Sequence, residues 1–184
     1  MDDIKSLENK CLSDTDIRHI LGNVKIIAYP DLAKYNSIDQ CFGPRDMFIL
    51  FFEEDKEGGQ VSGHWNYVQK LNNNKILFFD SYGLKVDQCK KWLPQYQLMK
   101  LKEYPNYLSD LINKSDKTVV YNPYKYQSMK SGVNTCGDYV CLRALCRNMN
   151  GLQFKNYLDE LKKKYNVQTY DEAVVEYIYE NYGI

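Results

Sequence analysis

Met47-Phe48-Ile49-Leu50-Phe51-Phe52 is the longest apolar run in the chain, and a second run, Ile76-Leu77-Phe78-Phe79, follows it. Short stretches with no polar position predict strands buried on both faces. Between them, Gly63 to Lys70 reads as a third strand carrying His64-Trp65, entered through the polar turn Glu53 to Gly59 and left through Asn72-Asn73-Asn74. Three successive strands joined by short turns predict an antiparallel central sheet. Val24 to Tyr29, ended by Pro30, and Thr118 to Tyr121 read as further strands on either side in sequence.

Helical patterns lie outside this core. Ser13-Asp14 caps a helix containing Ile17, Ile20 and Leu21, with Gly22 as its stop. Val86 to Leu93 and Leu98 to Asn113 have helical spacing, the latter interrupted by Pro105. Cys136-Gly137 opens an amphipathic run, Val140 to Met149. From Gly151 onward Leu152, Phe154, Leu158 and Leu161 recur on one helical face, and Thr169 with Glu172 forms a capping box before Val174, Val175 and Ile178. Strands gathered in the middle with helices at both ends predict the α+β class. At 184 residues, with no Pro/Gly/Ser-rich linker, the expectation is one domain spanning 1–184.

Lys plus Arg (24) equals Asp plus Glu (24), so bulk charge favours neither nucleic acid nor an anionic membrane. Lys90-Lys91 and Lys162-Lys163-Lys164 read as solvated helix sides. No apolar run approaches the roughly twenty residues of a membrane span, and Met1-Asp2-Asp3 is unlike a secretion signal. A soluble, intracellular monomer with no membrane partner is expected. Six cysteines without a Cys-x-x-Cys pair, and only two histidines, His19 and His64, argue against a metal site. Cys11, Cys41, Cys89, Cys141 and Cys146 read as reduced, small buried hydrophobes.

Cys136 is different because it starts a helix. A helix N-terminus and an imidazolium neighbour both favour thiolate over thiol, the form that attacks carbonyl carbon. His64 on one strand and Asp80 at the end of another supply the remaining members of a Cys-His-Asp relay, with the acid orienting the imidazole. Gln127, nine residues before Cys136, and the Cys136 backbone N–H are candidate donors to a tetrahedral oxyanion, with Asn134 as a rival. Gly137 leaves room beside the sulfur for a substrate backbone. Each residue also has a structural reading: a packed cysteine, a half-buried histidine, a turn aspartate, a solvated glutamine.

The joint pattern Gly63-His64-Trp65, Phe79-Asp80-Ser81-Tyr82-Gly83, a Gln, then Thr135-Cys136-Gly137 resembles the adenain and SUMO-protease clan of cysteine peptidases over about Met47 to Arg147. The resemblance implies an adenain-like fold, with the nucleophile-bearing helix packed on the sheet. It makes His64 the general base, Asp80 its orienting acid, Cys136 the nucleophile, Gln127 the oxyanion donor and Trp65 the wall of a tunnel that admits only glycine. The Gln-to-Cys spacing is longer than usual in the clan, which leaves Ser128 to Asn134 as an extended loop. Asp-Ser-Tyr-Gly after the acid strand is more similar to compact maturation proteases of DNA viruses, virophages and related mobile elements than to deSUMOylases.

By that resemblance the activity is cleavage after Gly-Gly or Gly-x-Gly-like sites in capsid or scaffold precursors, in host cytoplasm or viral factory and inside the virion. No cofactor is required by the sequence, while the resemblance allows an activating peptide or DNA. A ubiquitin- or SUMO-like deconjugating protease is the alternative. An acetyltransferase and a catalytically degenerate structural protein rank below it.

Overall fold

Both apolar runs are strands of a five-stranded sheet in the computed structural model, which describes residues 3–55 and 61–184. The strands β1 (Ile26–Ala28), β2 (Met47–Asp55), β3 (Val61–Asn72), β4 (Lys75–Phe79) and β5 (Thr118–Tyr121) lie side by side in chain order. β2, β3 and β4 are antiparallel, whereas β1 joins β2 and β5 joins β4 in parallel. The sheet is thus mainly antiparallel, with a parallel strand at each margin. Each parallel strand is reached through a helical connection, because a tight turn cannot reverse the chain twice. The β3–β4 turn is closed by Asn72, whose side-chain oxygen accepts the Asn74 N–H at 2.9 Å. Of the polar turn expected over Glu53 to Gly59, the first three residues continue β2, and residues 56–60 lie outside the described residues.

The described α-helices are α1 (Ile4–Asn9), α2 (Asp14–Leu21), α3 (Ile38–Phe42), α4 (Gln95–Lys100), α5 (Tyr107–Asn113), α6 (Cys136–Leu145), α7 (Gly151–Tyr165) and α8 (Tyr170–Tyr182). Two compact units divide the chain. The described residues of Lys25–Asp80 and Leu84–Tyr121 form a sheet unit, and those of Met1–Val24, Ser81–Gly83 and Asn122–Ile184 form a helical unit. None of the described helices is long and apolar enough to cross a membrane.

In the sheet unit, alternate residues Phe48, Leu50 and Phe52 of β2 share a core with Val68, Ile76 and Phe78 of the neighbouring strands. Ile49 on the other face is buried too, as a run without polar positions requires. Val86 to Leu93 is not the α-helix its spacing predicts. It contains a 3-10 helix, Gln88–Trp92, preceded by Asp87 in the left-handed region at φ 62°. Leu98 to Asn113 is broken into α4, which begins earlier at Gln95, and α5, because Lys102 turns at φ 59° ahead of Pro105. Lys90 corrects another expectation. It is not solvated but buried, its ammonium donating to the carbonyls of Tyr104 and Pro105 and to the Asn106 side chain.

In the helical unit, α1 and α7 pack on α8, and both α2 and α8 pack on α6. Capping boxes start α2 (Ser13 with Asp16), α7 (Asn150 with Gln153) and α8 (Thr169 with Glu172), each cap contributing about 1 kcal/mol. Helix α6 departs from the amphipathic pattern: Cys136 through Ala144 are all buried, and it ends at Leu145 rather than Met149. Arg143 closes it by donating to the carbonyls of Cys146 and Met149. Cys41, Cys89 and Cys141 are buried as expected, whereas Cys146 is half-buried and Cys11 is exposed. Cys11 sits in the connector between α1 and α2, where Leu12 takes the buried place instead.

Candidate active site

Strand register brings the candidate base and acid together. His64 and Asn66 are two residues apart on β3 and share one face. β4 runs antiparallel beside them and ends at Phe79, opposite Tyr67, so Asp80 emerges at their level. The His64 Nε2 and the Asp80 Oδ2 are 2.7 Å apart, and the Asn66 side-chain amide donates to that same oxygen at 2.8 Å. The Leu84 N–H donates to the other carboxylate oxygen at 3.3 Å. His64 is 2% exposed, so the half-buried reading of the histidine is set aside, and Asp80 is 1% exposed. A carboxylate taken out of water needs such partners, and its bond to His64 engages the imidazole through Nε2.

Trp65 points to the opposite strand face from His64. Its ring packs 4.4 Å from that of Phe51, its partner in the β2–β3 register. A Cβ on Gly63 would lie 2.4 Å from both the Phe51 ring and the Phe52 carbonyl oxygen, so only glycine fits between these strands. Sheet packing therefore accounts for the glycine before His64.

In the helical unit Cys136 is the first residue of α6. Gln127 is 1% exposed, not solvated. Its side-chain oxygen accepts from the Ser81 hydroxyl at 2.6 Å, which turns the amide nitrogen toward the Val133 carbonyl at a long 3.4 Å. Asn134, the rival donor, has its amide on the Asn9 carbonyl and side chain at 2.9 and 3.1 Å. One amide is committed to α1, and the other has its oxygen tied and its N–H₂ only weakly engaged. Gly137 is filled from its own unit: a Cβ there would lie 2.8 Å from the Leu12 Cβ. Close approach of the segment before α2 explains that glycine.

No family model matches the chain. The uncharacterized protein V9 of Sputnik virophage is 36% identical over 175 residues, which is 95% of this chain and 97% of V9. The chain belongs to the V9 family. Among solved structures, the crystal structure of the ASFV pS273R protease is similar at a TM-score of 0.44 and 15% identity, over 94% of this chain and 68% of that one. The central domain of the uncharacterized Lpg1148 protein from Legionella pneumophila is similar at 0.40 and 14%, over 95% and 89% of the two chains.

Two acids of this V9-family protein escape a reading of the sequence alone. Asp171, on α8, accepts from the Thr135 hydroxyl at 2.6 Å and from the Ser128 N–H at 3.0 Å, and so clasps both ends of the loop between Gln127 and Cys136. Burial raises its carboxyl, and those hydrogen bonds counter the rise. Asp138, two residues after the cysteine, is pushed up to about 8 by burial, and its Oδ2 has no hydrogen-bond partner among the described residues. Burial thus favours the neutral form of this acid in the first turn of α6. No spacing rule marks Asp171, which lies 36 residues from Thr135. Asn66, at the next position on the His64 face, was open to discovery from strand periodicity.

Proposed function

We propose that the two units together make one peptidase domain and that it is a cysteine endopeptidase. The observation that carries this reading is the buried His64–Asp80 pair at 2.7 Å, with Asn66 as a second donor to the acid. A histidine bound only for packing does not require a carboxylate oriented by two further donors. In the proposed reaction Asp80 holds the imidazole through Nε2, and Nδ1 takes the proton from the Cys136 thiol. The thiolate adds to the scissile carbonyl, and the oxyanion is met by the Cys136 N–H and the Gln127 amide, whose orientation Ser81 sets. Collapse expels the amine with the proton returned by His64. Water then attacks the thioester, again with His64 as base, and releases the acid and the thiol.

The substrate is a chain with glycines at the cut, of Gly-Gly or Gly-x-Gly type, passing Trp65. Membership in a family with a virophage protein supports capsid or scaffold precursors as targets. The site of action is then host cytoplasm or viral factory and the maturing virion. The enzyme works as a monomer without a metal, and a peptide or DNA acts at most as an activator.

Incubation of wild type and Cys136→Ala with a capsid-precursor peptide and with a ubiquitin-type probe under reducing conditions tests the proposal. Wild type should cut the peptide after glycine, and the substitution should lower turnover by about 10⁶-fold, as loss of a nucleophile does. Equal processing by both, or by neither, removes the peptidase reading. Labelling by the probe without peptide cleavage replaces it with deconjugation.

A further inference from the structure

His64 has a second neighbour that the catalytic pattern does not include. Trp92 stands against the imidazole in an edge-to-face arrangement, with ring centroids 5.1 Å apart and planes at 80°. It is the last residue of the 3-10 helix Gln88–Trp92, a short element whose own hydrogen bonds are poor. Polar groups at two of its turns fasten it to the rest of the sheet unit. Asp87, which precedes it, accepts from the Tyr29 hydroxyl at 2.7 Å and from the Ser109 N–H and hydroxyl at 3.0 and 2.6 Å. Lys90, 7% exposed, donates to the Tyr104 carbonyl at 2.6 Å, the Pro105 carbonyl at 2.9 Å and the Asn106 side chain at 2.7 Å.

Three acceptors exhaust the three donors of an ammonium. Burying that charge is costly unless every donor is met, and here the result is a turn with little freedom to move. The imidazole, by contrast, has one soft torsion. A half-turn about its Cβ–Cγ bond would put Cε1 where Nε2 meets Asp80, and water reaching Nε2 would compete for Asp80. A rigid ring set edge-to-face against it opposes both.

We propose that Trp92 is the positioning residue of the base: mounted by Asp87 and Lys90, its indole fixes the plane of the His64 imidazole and keeps water from the Nε2–Asp80 hydrogen bond. The catalytic consequence rests on the peptidase reading, but the geometry can be tested without it. The chain has only two histidines, His19 and His64, and His19 is exposed, so nitrogen-edited NMR of the intact protein separates the two rings. Wild type should give one downfield ring N–H proton, slow to exchange with solvent, from His64 Nε2.

Trp92→Ala should lose that resonance to exchange while its amide spectrum stays folded, and Trp92→Phe should keep it. Lys90→Met should weaken it with Trp92 still present. In peptide cleavage, Trp92→Ala should lower kcat by about tenfold with KM unchanged, the scale of lost support behind a reacting group. A folded Trp92→Ala protein that retains the slow proton overturns the proposal. Should Trp92→Ala fail to fold, a folded Lys90→Met protein with an undiminished resonance overturns it instead. A slow proton that depends on Trp92 in a protein that cleaves no precursor keeps the positioning role and removes the peptidase reading.

Discussion

The sheet unit and the helical unit hold their candidate catalytic residues by different means. His64, Asn66 and Asp80 are set by backbone register: two positions on one face of β3 and the first residue beyond β4. Cys136 and Gln127 are set by scattered loop ties, in which isolated backbone bonds such as Gln127 N–H to the Ser81 carbonyl at 2.9 Å and Asn134 N–H to the Glu8 carbonyl at 2.7 Å are joined by side chains. Ser81 orients Gln127, Asp171 clasps Ser128 and Thr135, and Asn9 takes Asn134. A ladder of backbone bonds survives the loss of one side chain, whereas a loop held by a few side chains does not. Substitutions in the sheet unit should therefore remove chemistry and leave the fold, and those in the helical unit should disturb both.

The sharpest break of that contrast is Asp80→Asn. On the proposed chemistry it lowers kcat by about 10⁴-fold, because the amide presents the wrong partner to the imidazole. Circular dichroism should be unchanged, since the strands keep their ladder. Unfolding of this variant would show that the acid holds the sheet together. Next in size is Gln127→Ala, with an expected loss of about 10²-fold in kcat, against near wild-type rates for Asn134→Ala. The reverse order, measured on one glycine-containing peptide, would transfer the oxyanion role to Asn134.

The same contrast explains what could be read from the residues. Apolar runs without polar interruptions announced β2 and β4, because strand burial writes itself into local composition, and Thr118 to Tyr121 matched the half-exposed β5 in full through its β-branched and aromatic residues. The candidate base, acid and nucleophile were legible as residue types on separate elements. What stayed hidden depends on distant partners. Lys90 reads as solvated beside Lys91 until three acceptors from 104 to 106 close around it. Helix α6 reads as amphipathic because its sequence cannot reveal that α2 and α8 both pack on it. Likewise, the 3-10 helix Gln88–Trp92 has helical spacing, but a left-handed Asp87 fixed by Tyr29 and Ser109 shortens it.

Asp171→Ala probes the loop ties directly. It leaves the Thr135 hydroxyl and the Ser128 N–H without their acceptor, at a cost of about 1–3 kcal/mol of stability. Chemical denaturation should register that loss, and turnover should fall with it, because the same loop carries Cys136 at its end. A stability loss with unchanged turnover would separate the loop from the chemistry.

The smallest effect distinguishes the units by pH. Each holds a buried acid with one oxygen lacking a hydrogen-bond partner among the described residues: Asp138 in the helical unit and Glu103 in the sheet unit, whose other oxygen accepts the Glu53 N–H. Burial pushes Asp138 up to about 8 and Glu103 up to about 7, the latter against the Glu53 hydrogen bond and the Lys90 charge. A carboxyl whose folded value lies above its unfolded value stabilises the fold fully at low pH, and that contribution is lost as pH rises through the folded value. Wild type should therefore lose on the order of 1 kcal/mol from Glu103 as pH rises through about 7, and a similar amount from Asp138 as pH rises through about 8. Glu103→Gln should abolish the first loss and Asp138→Asn the second, as read from urea midpoints across that range. If the units unfold as one domain, each substitution shifts a single shared transition. Two transitions, each answering to only one of the acids, would show instead that His64 and Cys136 reside in bodies that fold separately.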